Sequence, residues 1–150
     1  MGKLTSITLK PGRGRHEDQE GYKRISVIEA RLVADYGIEG DGKGGREGRH
    51  LNVMAAETIG KLAADGLYTA PGALGEQIVI DGLAIDSLAA GTRLRIGAEA
   101  VIELVKLRTG CEIFERYQRV AADSVAGRIG MMAVVVTSGP IRIYDPVVVL

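Results

Sequence analysis

The sequence predicts a mostly β chain, folded as one closed or strongly bent, largely antiparallel sheet with one or two short helices. Three observations carry this reading. Seven or more short runs of aliphatic and β-branched residues recur along the chain. Most of the 21 glycines fall between those runs, where tight turns need them. Few segments have the length of a crossover, so antiparallel neighbours dominate and closure is the economical way to hide strand edges.

Taken in order, Leu4 to Leu9 is a strand with Ile7 and Thr8 as its β-branched centre. Pro11 to Gly21 is a polar loop, and Lys23 to Val33 a second strand with Ile25 and Val27 alternating with Arg24 and Ser26. Tyr36 to His50 is a glycine-rich loop. Ala55 to Asp65 is the best helix: Ala56, Ile59, Leu62 and Ala63 share a face, and Gly66 stops it, although Gly60 inside costs about 1 kcal/mol against alanine. After Pro71-Gly72 the pattern turns to β. Gln77 to Ile80 is a strand, Leu83 to Leu88 an extended or looped piece, and Arg93 to Ile96 forms a hairpin with Ala100 to Leu107 through Gly97-Ala98. Glu112 to Arg119 reads as a short helix. Met131 to Thr137 is a strand, Gly139-Pro140 breaks it, and Ile141 to Val148 is the last.

A length of 150 residues suits a single domain over 1–150, which buries about 68–70% of its unfolded surface. The 19 basic and 19 acidic side chains balance, which argues against a nucleic-acid partner, since phosphate-driven binding needs a net basic face. One cysteine excludes an internal disulfide and any multi-cysteine zinc or iron–sulfur site within one chain. No apolar run approaches about 18 residues and no signal-peptide pattern opens the chain, so no membrane association and a cytoplasmic location are expected.

The lone cysteine stands in Lys106-Leu107-Arg108-Thr109-Gly110-Cys111-Glu112. A strand leads in, Thr109-Gly110 breaks it, and a helix begins after Cys111. Helix amides and the upstream cations Arg108 and Lys106 favour a thiolate there, while Glu112 and Glu115 oppose it. The alternative is a buried cysteine acting as a small apolar filler. Both readings stand on the local pattern.

Gly40-Asp41-Gly42-Lys43-Gly44-Gly45 spells a dinucleotide fingerprint but lacks the helix that must open within it, so that reading is rejected. The loop can instead expose backbone amides and gather Lys43, Arg46, Arg49 and His50 around one anionic group, or it can be a solvated loop whose charges face water. His16 and His50 are too few for zinc.

As an ordered set, these landmarks resemble the MOSC domain, the C-terminal module of molybdenum cofactor sulfurases that also occurs as small free-standing proteins. Gly37-Ile38-Glu39-Gly40-Asp41 is similar to the family's early Gly-Asp signature, followed by a basic loop and the step His50-Leu51-Asn52-Val53. Gly75-Glu76-Gln77-Ile78 resembles its Gly-Glu-Asn-Leu element, and Cys111 stands where the family has its hallmark cysteine. Gln77 replaces the asparagine, Thr92 an aspartate, and Thr109 a proline. The resemblance implies a β-barrel-like fold and work on or with the molybdenum cofactor (molybdopterin). Cys111 would act as a molybdenum ligand or as a persulfide sulfur carrier. Asp41, Lys43, Arg46, Arg49, His50, Glu76, Gln77, Arg108 and Thr109 would contribute to cofactor binding. Reduction of N-hydroxylated compounds with an electron-transfer partner, and sulfur uptake from a cysteine desulfurase, are the activities implied. A non-catalytic module that binds, stores or senses the cofactor is the alternative.

Overall fold

The computed structural model describes residues 1–12 and 24–150. The polar loop expected over 11–21 and the start of the second strand at Lys23 therefore fall largely outside the described residues. Strands β1 (Gly2–Leu9), β2 (Ile25–Val27), β3 (Glu29–Val33), β4 (Gly37–Ile38) and β5 (Leu51–Ala55) precede helix α1 (Ala56–Ala64). Then come β6 (Ile78–Asp81), β7 (Arg93–Ile96), β8 (Ala100–Leu107), helix α2 (Glu112–Gln118), β9 (Met131–Thr137), β10 (Gly139–Arg142) and β11 (Pro146–Val149).

Seven strands close on themselves in the order β1, β11, β7, β8, β9, β5, β6, with β6 returning to β1. Strand β2 pairs with the far end of β1, and β10, β3 and β4 form a separate three-stranded sheet. The only parallel pair among the described residues is β5–β6, joined through α1, so the barrel is closed and largely antiparallel as the sequence predicts. Its interior is aliphatic, with Leu4, Ile7, Val53, Ile78, Ile80, Leu94, Ile102, Leu104, Ala133 and Val147 all buried. A second cluster lies outside the barrel wall, where Met54, Leu62, Leu74, Phe114, Val125 and Ile129 pack α1 and α2 onto it.

Strand β5 explains an element the sequence hid. All five of its residues are buried. Leu51, Val53 and Ala55 enter the barrel core, while Met54 joins the outer cluster. A strand covered on both faces loses the polar–apolar alternation that marks a half-exposed strand. Its five residues also run straight into α1, so the segment reads as a lead-in to the helix.

Three boundaries differ from expectation. The second strand is two, because Ile28 ends β2 and the chain crosses to the small sheet at Glu29. Leu83 to Leu88 contains a 3-10 turn over Ile85–Ser87 that buries Ile85. The final strand is also two. Gly139 and Pro140 lie inside β10, paired with Leu32 and Arg31, and β11 starts only after a turn through Tyr144 in the left-handed region (φ 76°). Pro140 is tolerated there because β10 is an edge strand.

Candidate functional site

Beyond β8 the chain leaves the barrel wall and reaches Cys111, which caps the first turn of α2 with extended backbone angles. Gly110 makes this approach possible, because a Cβ there would stand 2.6 Å from the Cβ of Ala122. The thiol is exposed, so the reading of Cys111 as an apolar filler does not hold. Both carboxylates in the first turn of α2 are engaged. Glu115 Oε2 accepts the Ala122 N–H at 2.8 Å, and Glu112 meets Arg116 at 3.4 Å.

Cys111 stands on the wall of a cavity of about 260 Å³. Among the described residues, five cations share that wall: Arg24, Lys43, Arg46, Arg49 and Arg108. Among the described residues lining it, none carries a carboxylate. Gln77, Thr109 and Asn52 add polar groups, and Leu51, Ile113 and Met132 add apolar surface. Burial is what holds Lys43 below the usual lysine value, with repulsion from Arg46, Lys10 and Arg24 acting in the same direction and Asp41 opposing them.

Arg108 is 8% exposed. Its guanidinium donates to the Leu74 carbonyl and lies 5.7 Å from the centroid of the Phe114 ring, while its backbone N–H donates to Gly130 at 2.8 Å. The side chain is thus pre-positioned, and an anion arriving at the cavity meets a cation whose ordering cost is already met by the fold.

Three residues that the resemblance placed near the cofactor lie behind the wall. Asp41 is fully buried. Its Oδ1 accepts the backbone N–H groups of Lys10 and Lys43, each at 3.1 Å, and its Oδ2 accepts from Gln77 Nε2 at 3.4 Å. Glu76 is buried and accepts the N–H groups of Gly72 at 2.7 Å and Leu74 at 3.1 Å. Burial pushes its carboxyl above the usual range, against those bonds and the attraction of Arg24. His50 faces β9, where Nδ1 accepts the Val135 N–H at 3.0 Å. Burial holds its pKa below the usual value, against the attraction of Asp35.

The glycine-rich loop also differs from the expected amide nest. Gly42, Gly44, Gly45 and Arg49 donate their N–H groups to carbonyls of Lys10, Asp41, Tyr36 and Arg46. Those amides are spent on holding the loop, so the side chains of Lys43, Arg46 and Arg49 are what it offers to an anion.

A buried network ties the two halves of the cavity together. Gln77 bonds Asp41 through Nε2, and its Oε1 accepts the Asn52 N–H at 2.7 Å. Asn52 Nδ2 in turn donates to the Ile129 carbonyl at 3.2 Å. Its amide presses against Gly130, where a Cβ would stand 2.2 Å from Oδ1. Gly130 is the residue whose carbonyl receives the Arg108 N–H. The basic loop and the cysteine loop are thereby held by one chain of contacts. Arg24, Asn52 and Met132 line the cavity without any signal in the sequence that marks them as site residues. Arg24 reads as the polar partner in a strand alternation, and Asn52 and Met132 sit inside apolar runs.

A family profile decides the kinship, since that of the MOSC domain matches residues 41–148. The chain belongs to the MOSC domain family. Solved structures agree on the fold. YiiM from Escherichia coli superposes with a TM-score of 0.71 at 23% identity, over 99% of this chain and 69% of that one. YiiM from Geobacillus stearothermophilus gives 0.76 at 15% identity, over 100% and 75%. The YUAD protein of Bacillus subtilis gives 0.76 at 15% identity, over 98% and 94%. Comparison with curated protein sequences gives no match. Among the described residues, no helix is long and apolar enough to cross a membrane.

Proposed function

We propose that this MOSC domain binds the molybdenum cofactor in the cationic cavity, with Cys111 presenting its sulfur to the metal. The observation that carries the reading is the placement of the only cysteine on a wall shared with five cations. The donor set fits such a group. Among the described residues no cluster of three His, Cys, Asp or Glu could hold a bare metal ion. A cofactor that brings its own sulfur ligands and needs one more soft donor, plus cations for its phosphate, matches what the wall provides.

In this reading Arg46, Arg49 and Lys43 attract and neutralise the phosphate, and Arg108 fixes its orientation from a buried seat. Gln77 and Asn52 keep the two loops in register. Thr109 offers a hydroxyl at the rim. The cofactor, when bound, supplies two-electron redox chemistry at its metal. The chain's own residues supply binding, orientation and the thiolate ligand.

The exposure of Cys111 favours a second role for the same sulfur. A thiolate at the surface can attack the outer sulfur of a persulfide carried by a cysteine desulfurase. The donor's S–S bond breaks, a new one forms on Cys111, and the donor cysteine leaves as a thiolate.

Titration of the metal-free protein with a phosphorylated pterin, followed by pterin fluorescence, tests the binding reading. Saturable binding that the Arg46→Glu/Arg49→Glu double variant loses is the expected outcome. Equal binding by the double variant, or none by wild type, counts against it. Mass spectrometry after incubation with a desulfurase and cysteine tests the carrier role through a sulfane adduct on Cys111.

A further inference from the structure

The cavity has a neighbour. A smaller cleft of about 100 Å³ is lined by Arg49, Lys106, Leu107, Arg108, Thr109 and Met132. Arg49, Arg108, Thr109 and Met132 line both spaces, so the two adjoin and share two arginines. Lys106 belongs to the small cleft and is absent from the wall of the larger one.

The placement of Lys106 is built into the barrel. Ile102 and Leu104 are buried in the core, and strict alternation along β8 would send Lys106 inward after them. The register between β8 and β9 shifts between Leu104 and Lys106, where the chain takes one residue more than its partner. Beyond the shift Lys106 pairs with Met132, whereas Leu104 pairs with the core residue Ala133. Directly paired residues share a face of the sheet, so the bulge turns Lys106 onto the same side as Met132, which lines both clefts. A bulge that redirects one lysine from a hydrocarbon core to a cleft already holding two arginines is a device for placing charge.

We infer that this cleft is a second anion subsite, for a phosphate-like oxyanion held by Arg49, Lys106, Arg108 and the Thr109 hydroxyl. Its volume is less than half that of the main cavity. A space of that size accepts a phosphate-sized group. Among the described residues that line it, none carries a carboxylate to repel an anion. The shared arginines put the subsite next to the main cavity, which is the arrangement a ligand with two linked phosphates needs. The inference extends the reading of the main cavity as an anion pocket and assigns the site's ligand class as a diphosphate-bearing molecule or a monophosphate with a separate oxyanion.

Isothermal titration of the metal-free protein with inorganic phosphate and with pyrophosphate tests this, using wild type, Lys106→Gln and Lys106→Glu. Lys106 is exposed, so neither substitution disturbs the core, and matching thermal unfolding midpoints verify that. Wild type should take two phosphate ions per chain and Lys106→Glu one. Pyrophosphate binding should weaken about tenfold in Lys106→Gln, the weight of one charge-assisted hydrogen bond. If wild type takes two phosphates but pyrophosphate binds no tighter than phosphate, the source is a free oxyanion. If pyrophosphate binds tighter, the source is a linked diphosphate. A single phosphate per wild-type chain, or pyrophosphate affinity unchanged in both variants, overturns the subsite. Neither result touches the role of Cys111, which is read from molybdenum content.

Discussion

Replacing Asp41 by alanine should loosen the cavity from behind. The carboxylate is fully buried and accepts from the Lys10 N–H, the Lys43 N–H and Gln77 Nε2. Truncation strands these three donors. Lys43 is only partly buried, so its amide can recover a water, whereas Lys10 and Gln77 are buried and cannot do so cheaply. At about 1–3 kcal/mol for each buried donor left unmade, the loss comes to about 3 kcal/mol. With a urea slope of about 2 kcal/mol/M for a chain of this size, the unfolding midpoint should fall by about 1.5 M. Asp41→Asn keeps one acceptor oxygen in place and should cost about 1 kcal/mol, because only the long contact to Gln77 is compromised. The hydroxyl of Tyr36 bonds the Asp41 backbone carbonyl, and that contact survives both changes. A midpoint for Asp41→Ala within about 0.3 M of wild type would refute the idea that this carboxylate holds the basic loop to the barrel.

Other perturbations follow from the same geometry. Gly130→Ala puts a Cβ 2.2 Å from Asn52 Oδ1 at φ 109°, so stability should drop by about 2 kcal/mol or more. Gly127→Ala, with φ 79° and open space around it, should cost about 1 kcal/mol in the same urea assay. Phosphate affinity should decline as pH rises through the lowered pKa of Lys43, before the ordinary lysine range is reached. Lys43→Arg should hold that affinity flat across the same window in a pH series of titrations. His50 acts in acid. Its folded pKa lies below the unfolded one, so its contribution is complete above about 6.5 and is lost as pH falls through the folded value. His50→Asn, which keeps an acceptor for the Val135 N–H, should remove that acid-side slope in thermal unfolding scans.

Much of the barrel was legible because its strands are half-exposed. The hairpin of β7 and β8 and the helix α1 follow alternation, turn glycines and helical spacing. What the pattern could not show was strand β5, whose two buried faces erase the period. The exchange of strands between two sheets at Ile28 and Tyr144 was hidden too, since a corner needs no change in composition. The site divides along a similar line. Cys111, Arg108 and the three loop cations Lys43, Arg46 and Arg49 reach the cavity, as do Gln77 and Thr109. Asp41, Glu76 and His50 belong to the same motifs but turn inward, each bonded to backbone amides. A polar residue beside a glycine looks alike from sequence whether it faces a ligand or satisfies the chain. Only the number of nearby orphan N–H groups separates the two roles, and that number is set by tertiary structure.

Molybdenum and pterin content per chain, measured on protein from molybdate-replete cells, bears most directly on the role of Cys111. Wild type should carry both near stoichiometry, and Cys111→Ser should lose the metal. Full molybdenum retention in Cys111→Ser, beside a correctly folded protein, would contradict the account.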